Sequence, residues 1–245
     1  MRLDKFLVEA GVATRTEATR AARAGLVTVN GKAVRKTAEH IDPLSDKIVY
    51  CGTPVEYREF TYIMLNKPDG YVSSTDDDKS PTVLTLLPPE LQSIGLFPCG
   101  RLDKNTLGLI ILTNNGQLSH RLLAPKSHVD KKYFFKCERK VTDEDKIRLM
   151  SGVDIGGYVT APCVVEMISD CEGYITLTEG KYHQIKLMLA AVCNKITYLE
   201  RVSFGPVELD LNLARGEWRY LSQSEEKSLE ERGKAKTSDG GKMKE

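Results

Sequence analysis

At 245 residues, with 41% hydrophobic and 28% charged side chains, the chain has the composition of an ordinary soluble protein, long enough for one large domain or for a small one and a medium one. It contains no apolar run of membrane-spanning length and no basic, hydrophobic leader, so secretion and membrane insertion are not expected and a cytoplasmic location is. Six cysteines without a Cys-x-x-Cys pair or Cys/His ligand spacing read as small buried residues in a reducing compartment, and no metal site is expected of them. The formal net charge of +1 is uninformative as a total. Its distribution is not, because residues 1–38 carry eight Lys/Arg against three acids, a local excess of five positive charges.

The first ~60 residues predict a compact unit. "RLDKFLVEAG" places Leu3, Phe6, Leu7 and Ala10 on one helical face and stops at Gly11. In "TRTEATRAARAG", Thr14 and Glu17 form a capping box and Gly25 ends the second helix. "VTVNGKAV" predicts a hairpin, with Asn30-Gly31 supplying the two positive-φ turn positions, and the unit closes at "DKIVYCG". On the second helix Arg15, Arg20 and Arg23 fall within an arc of roughly 140°. Beside the hairpin's Lys32 they suit phosphate contacts, although a solvated charged face is the plainer reading of the helix alone.

"CGTPVEYREF" has no periodicity and reads as a linker. Strands and helices then alternate. "TYIMLNKP" and "LGLIILT" are strands, "NGQLSHRLL" a short helix, "KKYFFKCE" a strand and "TDEDKIRLMSG" a capped helix. "CVVEMIS" and "YITLTE" are hairpin strands, "HQIKLMLAAV" a helix and "ITYLERVSFG" the final strand. The expected fold class is α+β, a mainly antiparallel sheet with flanking helices. The expected domains are 1–52, a linker over 53–60, 61–222, and a charged tail over 223–245 that starts as a short helix and frays into disorder.

Residues 100–116, "GRLDKNTLGLIILTNNG", set a charged pair at the mouth of a buried strand. Asp103 could pair with Arg101, cap a turn or act on a substrate. The rest of the chain favours the last. The order helix, helix, Asn-Gly hairpin over about residues 1–50 resembles the S-four-type RNA-binding domain, in which the helix pair and adjoining loop grip RNA backbone. Residues 100–116 resemble the active-site segment of pseudouridine synthases, enzymes that turn uridine into its carbon-linked isomer within RNA. Three further segments match that family in order. "MLNKPDGYVSSTDD" is similar to the opening of the catalytic domain, "KKYFFK" to the Lys-x-Tyr motif, and "EGKYHQIKLMLAAVCN" to the third motif. The whole looks closest to the RsuA type, which modifies small-subunit ribosomal RNA, with large-subunit enzymes of the same family as the alternative.

The resemblance implies a pseudouridine synthase fold and no cofactor, since the isomerisation needs neither redox chemistry nor energy input. It implies that Asp103 is the catalytic carboxylate, stabilising the sugar cation, attacking the anomeric carbon or removing a neighbouring proton. Such a group needs a cation beside it, and Lys186 occupies the matching position. Tyr133 matches the tyrosine that packs on the base. The target uridine must be flipped out of its stack, and Arg101 is the candidate for filling the gap or holding the phosphate, with a salt bridge as its structural alternative. His183 is expected to start the helix or brace the site. Lys67, Lys131, Lys132, Lys181 and Arg201 are plausible phosphate contacts, each with solvated surface as the plain alternative. The expected partner is ribosomal RNA or a ribosomal assembly intermediate, with the chain acting as a monomer. The rivals are a non-catalytic RNA-binding module and a glycoside hydrolase. The hydrolase would need a second acid across the scissile bond, and the loop-like run Asp76, Asp77, Asp78 fits that poorly.

Overall fold

The computed structural model describes residues 1–56 and 59–234 and resolves two compact units. Among the described residues, one comprises Met1–Thr61 and Leu84–Phe97, the other Tyr62–Val83 and Pro98–Lys234.

In the first unit α1 (Leu3–Glu9) buries Leu3, Phe6 and Leu7, and α2 (Arg15–Arg23) buries Ala18, Ala21 and Ala22. The capping box forms as its residues predict. Thr14 Oγ1 accepts from the Glu17 amide at 3.3 Å, and Glu17 Oε2 accepts from the Thr14 amide at 2.8 Å. A four-stranded antiparallel sheet follows, in the order β2 (Lys32–Ala33), β1 (Val27–Val29), β3 (Ile48–Tyr50), β4 (Thr53–Val55). Asn30 (φ 51°) and Gly31 (φ 77°) make the turn between β1 and β2. Cys51 (φ 48°) and Gly52 (φ 84°) make a second such turn, so Thr53–Val55 is an edge strand and not linker. The linker reading missed it because cysteine seldom takes a left-handed conformation. Tyr57 and Arg58 of that linker lie outside the described residues. Leu84–Phe97 also belongs to this unit. It holds most of a 3-10 turn that begins one residue earlier (Val83–Leu86) and α3 (Pro89–Gln92), with Leu87, Leu91 and Leu96 buried.

The second unit is built on a nine-stranded sheet. Its strands are β5 (Tyr62–Lys67), β6 (Phe97–Pro98), β7 (Leu107–Thr113), β8 (Lys131–Cys137), β9 (Val164–Met167), β10 (Glu172–Leu177), β11 (Ile196–Phe204), β12 (Val207–Glu208) and β13 (Trp218–Tyr220). The order is β13-β5-β7-β11-β8-β10-β9, with β12 beside β11 and β6 beside β7. Every neighbour along that order is antiparallel except β7–β11, which is parallel. The helices are α4 (Gly116–Leu123), α5 (Asp143–Ser151), α6 (Gln184–Ala191) and α7 (Gln223–Lys234).

Two expectations are corrected here. The sheet does not end at β11, because β13 returns to pair with β5. Residues 223–234, where a short helix is expected to open the tail, are packed onto the unit and so are not part of a tail. They form α7, which buries Leu229 and is tied down by Arg219, whose guanidinium donates to both carboxylate oxygens of Glu225 at 2.8 and 2.9 Å. The remainder of the expected tail, 235–245, lies outside the described residues.

One register row positions the site. Lys67, Gly108, Arg201, Tyr133, Ile175 and Val165 are successive partners across β5, β7, β11, β8, β10 and β9, and so share one face of the sheet. At Gly108, φ is +94° and an added Cβ would lie 2.3 Å from the Arg201 carbonyl oxygen. Only glycine allows β7 and β11 to approach this closely.

Candidate active site

Asp103 sits in the loop that feeds β7. The Thr106 amide donates to the Asp103 carbonyl at 3.0 Å, closing a turn with Lys104 and Asn105 at its centre. The segment 67–73 braces this loop from one side. Ser73 Oγ accepts from the Leu102 amide at 3.1 Å and donates to the Leu102 carbonyl at 3.0 Å. The Gly70 amide donates to the Lys104 carbonyl at 3.1 Å. Lys67, 0% exposed, puts its ammonium among the carbonyls of Pro68, Lys104 and Thr106 at 3.1, 2.8 and 2.8 Å. Burial, partly offset by Asp69 and Asp103 and reinforced by Lys186, pushes its pKa down to about 8.

The other side is supplied by α6 and the turn before it. Lys186 Nζ donates to Asp103 Oδ2 at 2.8 Å and to Asn105 Oδ1 at 2.6 Å. His183 Nε2 lies 3.7 Å from Asp103 Oδ1, and Thr106 Oγ1 lies 3.5 Å from Oδ2. The Asp103 side chain keeps 23% of its surface open. The result is a carboxylate held in place by neighbours on several sides yet still reachable from solvent, the arrangement electrostatic catalysis requires. Asn105 is neutral, so it fixes the ammonium without competing with Asp103 for its charge.

The structure therefore brings together Asp103 and Lys186, and adds Asn105, Thr106 and Ser73, which sequence reasoning missed. Tyr133 is buried on β8, two strands and about 10 Å of backbone from Gly108. No hydrogen bond or ion pair joins it to Asp103 among the described residues. Arg101 is exposed, and the salt bridge offered as its alternative is not formed among the described residues. Arg15, Arg20 and Arg23 are exposed and line one shallow depression on α2 with Thr16 and Thr19, and Lys32 is exposed on β2.

Of the expected phosphate contacts, two are corrected by their burial, Lys67 and Arg201. Lys67 is buried among carbonyls and cannot meet a phosphate. Arg201, 1% exposed, donates through Nε to the Leu109 carbonyl at 2.8 Å, and its Nη2 is buried without a partner among the described residues. Lys131 is half-buried and donates to the Val129 carbonyl at 2.8 Å, with burial pushing its pKa down to about 8. Lys132 is paired with Glu166 at 2.8 Å. Lys181 is exposed, with its ammonium 4.3 Å from the centre of the Tyr158 ring.

Residues 61–191 match the family model described as RNA pseudouridylate synthase, and residues 1–48 match the S4 domain. The chain is 46% identical over 230 residues to an uncharacterized RNA pseudouridine synthase of Bacillus subtilis, covering 92% of this chain and 96% of that one. It is 41% identical over 228 residues to ribosomal small subunit pseudouridine synthase A of Escherichia coli, covering 92% and 98%. A crystal structure of a pseudouridylate synthase aligns with a TM-score of 0.67 at 38% identity, covering 94% of this chain and 99% of the other. With residues 61–191 matching that family's model, an S4 domain ahead of them and similarity to its members over nearly the whole chain, the chain belongs to the RNA pseudouridylate synthase family.

Proposed function

We propose that this protein isomerises a specific uridine of small-subunit ribosomal RNA to pseudouridine in the cytoplasm. The observation that carries the reading is the partly open Asp103 carboxylate, paired at 2.8 Å with Lys186 on a loop braced from both sides. Similarity over nearly the whole chain to a small-subunit enzyme supports the choice of RNA.

The reaction breaks the bond from the ribose anomeric carbon to N1 of uracil and forms one to C5. The C5 proton is lost and N1 gains one, so atoms and electrons balance within the nucleotide. Breaking the first bond builds positive charge on the sugar, and Asp103 stabilises it there. Lys186 and Asn105 keep the carboxylate oriented. The uridine enters only after leaving its stack, which costs a few kcal/mol, and Arg101, which is exposed, fills the gap or holds the phosphate. Tyr133 packs on the base. The exposed arginines of α2 and Lys32 hold RNA backbone without reading sequence.

The test uses full-length ribosomal transcripts. Wild-type protein is expected to form pseudouridine in the small-subunit transcript. Asp103→Asn is expected to lose at least about 10³-fold in rate while binding that transcript as the wild type does. Modification of the large-subunit transcript alone would overturn the small-subunit assignment. Binding without modification of either would leave an RNA-binding module.

A further inference from the structure

Beside the catalytic loop stands an aromatic surface that the chemistry above does not use. Tyr182 is 75% exposed, although it lies in the turn that leads directly into α6 and Lys186. Its ring is stacked on that of His183, with centroids 3.8 Å apart and planes 19° from parallel. His183 in turn reaches Asp103, its Nε2 lying 3.7 Å from Oδ1. The two rings thus form a short stack that runs outward from the catalytic carboxylate.

The turn is held rigidly. His183 takes a left-handed backbone (φ 49°, ψ 28°), a conformation a non-glycine residue keeps only when its surroundings enforce it. Those surroundings are visible. The buried Gln184 side chain accepts from the Lys181 amide at 2.8 Å and donates to Glu179 Oε1 at 2.6 Å. Glu179 also accepts from the Ala161 amide at 3.0 Å and from the Tyr158 hydroxyl at 2.6 Å. Lys181 rests over the Tyr158 ring. A mobile surface tyrosine would need no such bracing.

We infer that Tyr182 is a stacking platform for an unpaired nucleobase of the RNA strand that adjoins the target uridine. A tyrosine face covered on one side by an imidazole and open on the other suits a planar π-system. Bases splayed from single-stranded RNA are recognised in this way. The inference rests on the reading of Asp103 as the site where RNA reacts, and it specifies what holds the flanking strand there.

The test is equilibrium binding of the full chain to a uridine oligonucleotide of about 12 residues, and to an abasic sugar-phosphate strand of the same length. Tyr182→Ala is expected to weaken binding of the uridine strand about tenfold and to leave the abasic strand unaffected. Tyr182→Phe, which keeps the ring, is expected to bind the uridine strand as the wild type does. The dependence of log Kd on log salt should be the same for all three proteins, because no phosphate contact has been removed. Thermal melting of each variant controls for folding. Equal affinities of Tyr182→Ala and wild type for the uridine strand overturn the platform. So does an equal loss on the abasic strand, which would place Tyr182 against the backbone, and a loss in Tyr182→Phe as large as in Tyr182→Ala. Pseudouridine formation on the ribosomal transcript is scored separately. A wild-type protein that shows the ring-dependent preference but forms no pseudouridine retains the platform and loses the isomerase reading.

Discussion

The surroundings of Asp103 and the outer face of α2, both assigned to RNA in the proposed function, are built in opposite ways. Asp103 is gripped. Its carboxylate contacts Lys186, its backbone closes a turn, and the loop around it is fixed by Lys67, Gly70 and Ser73. Arg15, Arg20 and Arg23 stand exposed on a single helix, and no ion pair engages them among the described residues. The contrast follows from what each must do. A group that stabilises charge at one atom must already be oriented when that charge appears. Arginines that bind a repeating phosphate backbone gain from reach and adaptability, and a fixed partner would compete with the ligand.

The sharpest way to break this comparison is to loosen the gripped region. Lys186→Gln removes the cation while keeping much of the chain length, and should lower kcat about 10²–10³-fold with RNA affinity within about twofold. A variant that loses affinity and keeps kcat would make Lys186 a phosphate contact like the α2 arginines. A milder perturbation is Asn105→Ala, which leaves the Lys186–Asp103 pair but removes the second acceptor at 2.6 Å. Removing one hydrogen bond to a charged group predicts about a tenfold fall in kcat. On α2 the expected signature is different. Arg20→Ala and Arg23→Ala should each weaken RNA binding several-fold, reduce the slope of log Kd against log salt by about one, and leave kcat at saturating RNA unchanged.

How far the sequence anticipates this contrast depends on how local each feature is. Asp103 and Lys186 were legible because the motifs around them match a family residue by residue. The α2 arginines were legible because helical spacing alone puts them on one face. Asn105 was not, since it occupies a variable position of the motif and matters only once the turn 103–106 aims it at a helix more than 80 residues later. Lys67 and Arg201 were misread as surface cations because their burial is a property of the sheet. Both lie in the row through Gly108, whose depth is set by β5, β7, β11 and β8 together. One clue was present for Arg201. Strict alternation along β11 puts it on the same face as Leu199, and both are buried. The assignment of Leu84–Phe97 to the N-terminal unit had no local signal, because it depends on where that segment packs.

The smallest predicted effect asks whether the catalytic unit can be weakened without touching the α2 face. Glu225 anchors α7 within that unit. Its pKa is held down to about 2 from the usual 4.5, first by the Arg219 guanidinium, against the opposing effect of burial, and then by the amide and hydroxyl of Ser222. The folded-state value lies below the unfolded one, so the stabilisation is complete above about pH 4.5 and fades as pH falls toward 2. Allowing for solvent screening of a partly exposed pair, Glu225→Gln should destabilise the protein by about 1–2 kcal/mol at pH 7. The difference between variant and wild type should shrink steadily below pH 4.5. Hydrogen exchange resolved along the chain at neutral pH should locate the loss in α7 and the strands of the nine-stranded sheet, with α2 protected as in the wild type. Loss of protection in α2 to the same extent would mean that the two regions, though built differently, stand or fall as one cooperative unit.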